Sequence, residues 1–298
     1  MRTALKWIAA NSWNAIVVTA ALGLLPLLQV FSGGVVALKT LRQGLMQGLA
    51  VASSAALIVG VLAWLTGQSP ISMGIAVLML WLPVLGLAEL LRRSASLALV
   101  IQVATLLGFF GVGLFLLQTP DPVVFWQNVL ETEFEPLLSE LARTGRAVDT
   151  AQLQAMARLA TGMVAACMVL LTAIALLLGR WAQSVLDKPG GFGQAFRAWR
   201  NGRIATVIAS IIFIASLLTG NIYLQNMALV LLPMLLLQGL AIAHFAVYHL
   251  KMQRLWLIGL YIFLLLVPLH AVALVVVVGF LEEFFGFRAM LARLEIKR

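Results

Sequence analysis

The chain has little of the chemistry that most enzymes work with: its 298 residues include one cysteine, three histidines and eleven carboxylates. A single cysteine, Cys167, excludes an intrachain disulfide and a cysteine-cluster metal site, and its setting in the apolar run 163–178 predicts a small core residue. His244 and His249 are five apart, about 140° around a helix, so they do not share the face that paired metal ligands need. No HExxH pattern and no Gly-x-Ser-x-Gly elbow occurs, and no Asp or Glu other than Glu89, near the end of the run 71–91, falls inside an apolar run where an intramembrane acid or base would stand. Gly190, Gly191 and Gly193 fit neither GxGxxG nor GxxxxGK[ST], and no buried strand precedes them, which argues against a nucleotide site. Neither an enzyme nor a cofactor or metal is expected.

Apolar surface is what the chain has in excess. Hydrophobic residues make up 62% and charged residues 10%, against about half and a quarter in soluble domains. Apolar runs cover about 15–38, 45–66, 71–91, 95–118, 160–179, 204–219, 227–248 and 255–281. Each is close to the roughly 20 residues that cross a hydrocarbon core, and none alternates as a barrel strand would. In lipid such runs must be helices, because every backbone N–H and C=O has to be satisfied within its own segment. The expected fold is all-α: one integral membrane domain over 1–298, a polytopic bundle of about eight to ten membrane helices. The net charge of +9 is then a record of orientation and not of nucleic-acid binding.

Arg92-Arg93 and the basic loop 181–203 are expected on the cytoplasmic side of a bacterial inner membrane. Between them, 119–155 carries Asp121, Glu131, Glu133, Glu135, Glu140 and Asp149 against Arg143 and Arg146, and belongs outside. Its apolar residues Val124, Phe125, Val129, Phe134, Leu137, Leu138 and Leu141 predict an amphipathic helix lying on the bundle. Arg2 and Lys6 want the same side as Lys39 and Arg42, which requires two crossings between them, so a hairpin is expected around 24–34, near Pro26 and Gly33-Gly34. The run 255–281, interrupted by Pro268, likewise reads as two short helices that keep Arg288, Arg293, Lys297 and Arg298 inside. Both termini are then cytoplasmic.

Three groups of residues are candidates for function. Gly44, Gly48, Ala52, Ala56 and Gly60 recur at i, i+4, and steps of four drift only about 40° around a helix, so they form a narrow stripe for close approach of another helix, inside the chain or in a partner. Phe192, Phe196, Arg197, Trp199, Arg200 and Arg203 suggest a surface helix facing anionic lipid or a docking partner. Gln29, Gln102, Gln238, His244 and His270 are the interior polar side chains from which a pocket could be built, or else interhelical hydrogen bonds. Lys39 and Glu89 sit near helix ends, where snorkelling relieves a charge.

Three stretches taken together, 34–44, Pro189-Gly-Gly-Phe-Gly-Gln-Ala-Phe-Arg197 and 279–288, resemble the YybS-like membrane proteins of bacteria over most of the chain. Where that family's pattern has an acid followed by Asp-Phe-Arg, this chain has Glu282 and Gly286-Phe287-Arg288. The family is distantly similar to the substrate-binding S components of energy-coupling-factor transporters. The resemblance implies a helix bundle that binds a small molecule and couples to an energising membrane partner, since no ATP-binding motif is present. The alternative is a membrane scaffold or assembly factor that docks a partner through its basic loop. The ligand itself is not legible in the sequence.

Overall fold

The computed structural model describes residues 1–145 and 149–295; Arg146, Lys297 and Arg298, to which the charge pattern assigned sides, lie outside the described residues. All regular structure among the described residues is helical. Six helices are long and apolar enough to cross a membrane, or seven if one bent pair is a single span. The chain is therefore a multi-pass membrane protein. It divides into two compact units: residues 1–104, 170–201 and 235–298 form unit 1, and residues 105–169 and 202–234 form unit 2.

Unit 1 opens with α1 (Arg2–Ala10) and α2 (Ser12–Gly23). They are separated at Asn11, whose side chain accepts the Trp13 N–H at 2.6 Å and caps α2. After a 3-10 turn over Pro26–Leu28 the chain continues as α3 (Gln29–Gln43), so the expected break near residue 26 is there. Gly33 and Gly34 are not part of the turn. They are buried in α3, where a Cβ on either would press on Ala175 or Leu178. Gly44 takes φ +90°, a conformation that L side chains rarely adopt, and joins α3 to α4 (Leu45–Leu65). α5 (Pro70–Ser94) starts with Pro70 in its first turn and a Ser69 cap. Helices α2 to α5 pack on one another around the fully buried Trp81, whose indole N–H donates to Ser32 Oγ at 2.8 Å.

Two charges that the sequence placed at relieved helix ends are in fact buried. Lys39 is 2% exposed, and its ammonium donates to the Ala9 carbonyl in the last turn of α1 (3.3 Å) and to Gln43 (3.4 Å). It is held by the negative end of a neighbouring helix and not by water. Glu89 is 7% exposed and is gripped within its own helix by Arg92 (2.7 Å) and Arg93 (2.6 Å).

The rest of unit 1 comes from the first turns of α6 (Leu97–Gln118), the C-terminal part of α9 (Thr150–Asp187), α10 (Gly191–Ala198), the C-terminal part of α12 (Ile222–His249), and α13 (Leu255–Leu266), α14 (Pro268–Phe285) and α15 (Phe287–Glu295). Val267 ends α13 and Pro268 starts α14, dividing the run 255–281 in two as expected. α12 and α14 approach so closely that a Cβ on Gly239 would meet the Val275 carbonyl, and one on Gly279 the Leu235 carbonyl.

Unit 2 holds α7 (Pro122–Glu133), α8 (Glu135–Arg143), α11 (Arg203–Thr219) and the remaining parts of α6, α9 and α12. The segment expected as one amphipathic helix on the bundle is two helices divided at Phe134, neither with a buried residue. Pro136, in the first turn of α8, stops α7 from continuing. Trp126 anchors α7 by donating to Thr161 Oγ1 at 2.8 Å. Asn226 is fully buried, accepting the Gly162 N–H at 2.5 Å and donating to the Arg158 carbonyl at 2.9 Å. Cys167, expected in the core, is exposed on the same side of α9 as Met163, Val164 and Met168.

Candidate functional site

The principal cavity of unit 1 has a volume of about 1950 Å³ and is bounded by α9, α10, α12 and α13. Its floor is shaped by the turn between α9 and α10. Ser184 Oγ donates to the Lys188 carbonyl at 2.9 Å and accepts the Phe192 N–H at 3.0 Å, so one hydroxyl closes the turn that starts α10. Amphipathic α10 then turns Phe196 inward, with Phe192 stacked beside it at 5.8 Å and Trp199 edge-on at 5.9 Å.

His244 meets this aromatic cluster edge-on to Phe196 (5.5 Å between ring centres), and its Nε2 lies 2.9 Å from the Tyr261 hydroxyl. Arg197 lies over the Tyr248 ring at 3.8 Å. A guanidinium so placed keeps its in-plane N–H groups available while the aromatic face stabilises its charge.

Next to the cavity lies a buried polar network centred on Asn201. Its N–H donates to Gln238 Oε1 (2.7 Å), its carbonyl accepts from Gln102 (2.5 Å), and its side-chain oxygen accepts the Trp199 indole N–H (3.0 Å). Gln238 also donates to the Gly279 carbonyl at 2.7 Å. Glu282, fully buried, pairs with Arg200 at 3.2 Å and lies 3.7 Å from Arg288 Nε. Arg288 donates to the Trp199 carbonyl at 2.6 Å. Burial pushes the Arg288 guanidinium below its ordinary value and the Glu282 carboxylate pulls it back up. An arginine starts so high that it stays charged throughout the accessible pH range.

The five interior polar candidates therefore do not meet in one pocket. Gln102 and Gln238 are joined through the backbone of Asn201, in the non-helical segment between α10 and α11, and of the five His244 alone lines the cavity. Gln29 donates to the Ala76 carbonyl at 2.8 Å, between α3 and α5, and His270 is exposed. The expected surface helix is also changed: α10 ends at Ala198, residues 199–202 are non-helical, and Arg203 begins α11, so Trp199, Arg200 and Arg203 do not share a helix with Phe196 and Arg197. Phe196 and Trp199 are buried and do not face lipid. The small-residue stripe loses Gly44 to the turn, and Gly48 and Ala52 are buried inside the unit, Gly48 against Thr40 and Leu85. Ala56 and Gly60 are only half-buried.

Sequence reasoning missed Asn201, and it did not join Glu282 to Arg288. A signal for both was present: an asparagine between two tryptophan-arginine and glycine-arginine pairs, and an acid six residues before an arginine at the end of an apolar run. Among the described residues no three His, Cys, Asp or Glu side chains gather as a metal site requires. No family model, no curated protein and no solved structure matches this chain.

Proposed function

We propose that the chain is a non-enzymatic, transport-related binding component of a bacterial inner membrane, with both termini in the cytoplasm. It takes a small molecule into the cavity of unit 1. The observation that carries this reading is the cavity itself: about 1950 Å³, walled by apolar side chains and carrying a few converging polar groups at Arg197, His244, Tyr248 and Tyr261. An apolar wall with a few polar groups is the usual lining of a ligand site, and the volume exceeds the roughly 300–1,000 Å³ of a site for a drug-sized molecule. The resemblance to YybS-like proteins and to S components points the same way. Movement against a gradient requires an energising partner, because no ATP-binding motif occurs in the sequence. The scaffold alternative has less support, since Phe196 and Trp199 of the basic loop are engaged within unit 1 and not offered to a partner.

Native mass spectrometry of the detergent-purified full chain tests the proposal. A bound small molecule is expected on the wild type and absent from Leu240→Trp, which fills the cavity wall. If neither form carries one, and extracts of the source membrane add none, the binding reading fails.

A further inference from the structure

The geometry points to a specific class of occupant: a phosphate carried on a long apolar chain, with the chain between α9, α12 and α13 and the phosphate at Arg197. This rests on the reading of the cavity as a ligand site and goes beyond it by naming the ligand's chemistry.

Charge is the first argument. The cavity lining includes Lys188, Arg197, Lys251 and Arg254 and, among the described residues, not one carboxylate. In a chain with eleven acids, a described lining that holds Lys188, Arg197 and Arg254 without an acid favours an anion over a zwitterion or a cation. Arg197 is the best placed of the four. It is half-buried, stacked on Tyr248, and has no carboxylate partner among the described residues. Its guanidinium edge suits the paired oxygens of a phosphate.

Polarity along the helices is the second argument. The cations occur where α9 and α12 end and α13 begins, at residues 188, 251 and 254. Away from that end the lining becomes entirely apolar: Leu170 and Ile174 on α9, Leu236 and Leu240 on α12, Leu264 on α13. From Leu170 to the end of α9 at Asp187 the rise is roughly 26 Å at 1.5 Å per residue. That exceeds one leaflet of a hydrocarbon core of about 30 Å, so a whole lipid chain fits alongside. A water-soluble metabolite would waste this wall, and a neutral lipid would leave Arg197 unanswered.

The experiment uses the full chain in phosphatidylcholine nanodiscs. Four probes are titrated: hexadecyl phosphate, phosphatidylglycerol, hexadecanol and inorganic phosphate. Hexadecyl phosphate, phosphatidylglycerol or both should bind about tenfold or more tightly than hexadecanol, as expected for charge-assisted hydrogen bonds, and inorganic phosphate should not bind. Preference between the first two identifies the source as a single-chain lipid phosphate or a bilayer phospholipid, and either supports the proposal. Arg197→Gln should weaken that binding about tenfold while leaving hexadecanol unchanged. Leu240→Trp should abolish binding with Arg197 intact. Equal binding of hexadecanol and hexadecyl phosphate, or no effect of Arg197→Gln, overturns the phosphate inference and leaves the cavity reading standing. Undiminished binding by Leu240→Trp overturns it too, since the lipid would then sit on a charged surface outside the cavity. Failure of every probe to bind overturns the phosphate inference, and the cavity reading is then decided separately by the co-purified ligand.

Discussion

Glu282 and Arg288 show what one buried pair does in a chain with so few charges. Glu282 is fully buried and Arg288 nearly so, and Glu282 Oε2 and Arg288 Nη2 have no hydrogen-bond partner among the described residues. An ion pair left partly unsatisfied is a weak source of stability, yet removing one member strands the other charge. Glu282→Leu alone and Arg288→Met alone should each destabilise unit 1 by about 3–5 kcal/mol. The double substitution should recover most of that loss, because it leaves no stranded charge at these two positions and Arg200 is half in solvent. Chemical unfolding in detergent, arranged as a double-mutant cycle, measures this. Additive losses would mean that the two side chains act independently.

At the scale of helices, glycine spacing and glycine packing part company. The i, i+4 stripe was the clearest pattern in the sequence, but only its middle is closely packed; Gly60 has nothing nearer to its missing Cβ than Pro70 at 4.0 Å. The tightest approaches to a neighbouring backbone are at Gly239 and Gly279, which stand on different helices and make no repeat. Gly279→Ala should therefore cost about 1–3 kcal/mol through overpacking, whereas Gly60→Ala should be neutral or stabilise by up to about 1 kcal/mol through helix propensity. Thermal unfolding in one detergent, with both variants side by side, checks the contrast. The reverse order would restore the stripe as the main packing surface. The helix content was legible because long apolar runs admit no other structure in lipid, and Pro26 and Pro268 marked real breaks. The candidate site was less legible. Gln102 and Gln238 look like pocket residues until Asn201, distant in sequence, is found to satisfy both. His244 gains its setting from Tyr261 and Phe196, whose proximity no periodicity encodes.

For the whole molecule, the question is how often the chain crosses. Length and composition license six or seven spans, while the distribution of Lys and Arg asks for ten crossings with both ends on one side. The short helices α2, α3 and α13 make up the difference. Each is too short to cross a core of about 30 Å unaided, so each must tilt, thin the bilayer or rely on its neighbours. Reporter fusions at both termini and after Gly67, Gln118, Gly220 and Val267 are expected to place the termini in the cytoplasm and the four internal points outside. A C-terminal reporter outside would make α13 and α14 a single kinked span.

The buried Lys39 has a consequence for biogenesis. Its ammonium is satisfied by a carbonyl of α1 and by Gln43, so α3 alone in lipid would carry an unanswered lysine one turn from its end, at a cost below the roughly 2.5–3.5 kcal/mol of a helix centre on the insertion scale. The first three helices should therefore leave the insertion machinery as one packet, with α3 held in a sheltered channel until α1 is at hand. Removing residues 1–10 should leave α3 poorly inserted, and Lys39→Met should restore it, as a glycosylation-mapping assay on the nascent chain would reveal. The N-terminal helix is in that sense an internal chaperone for the third.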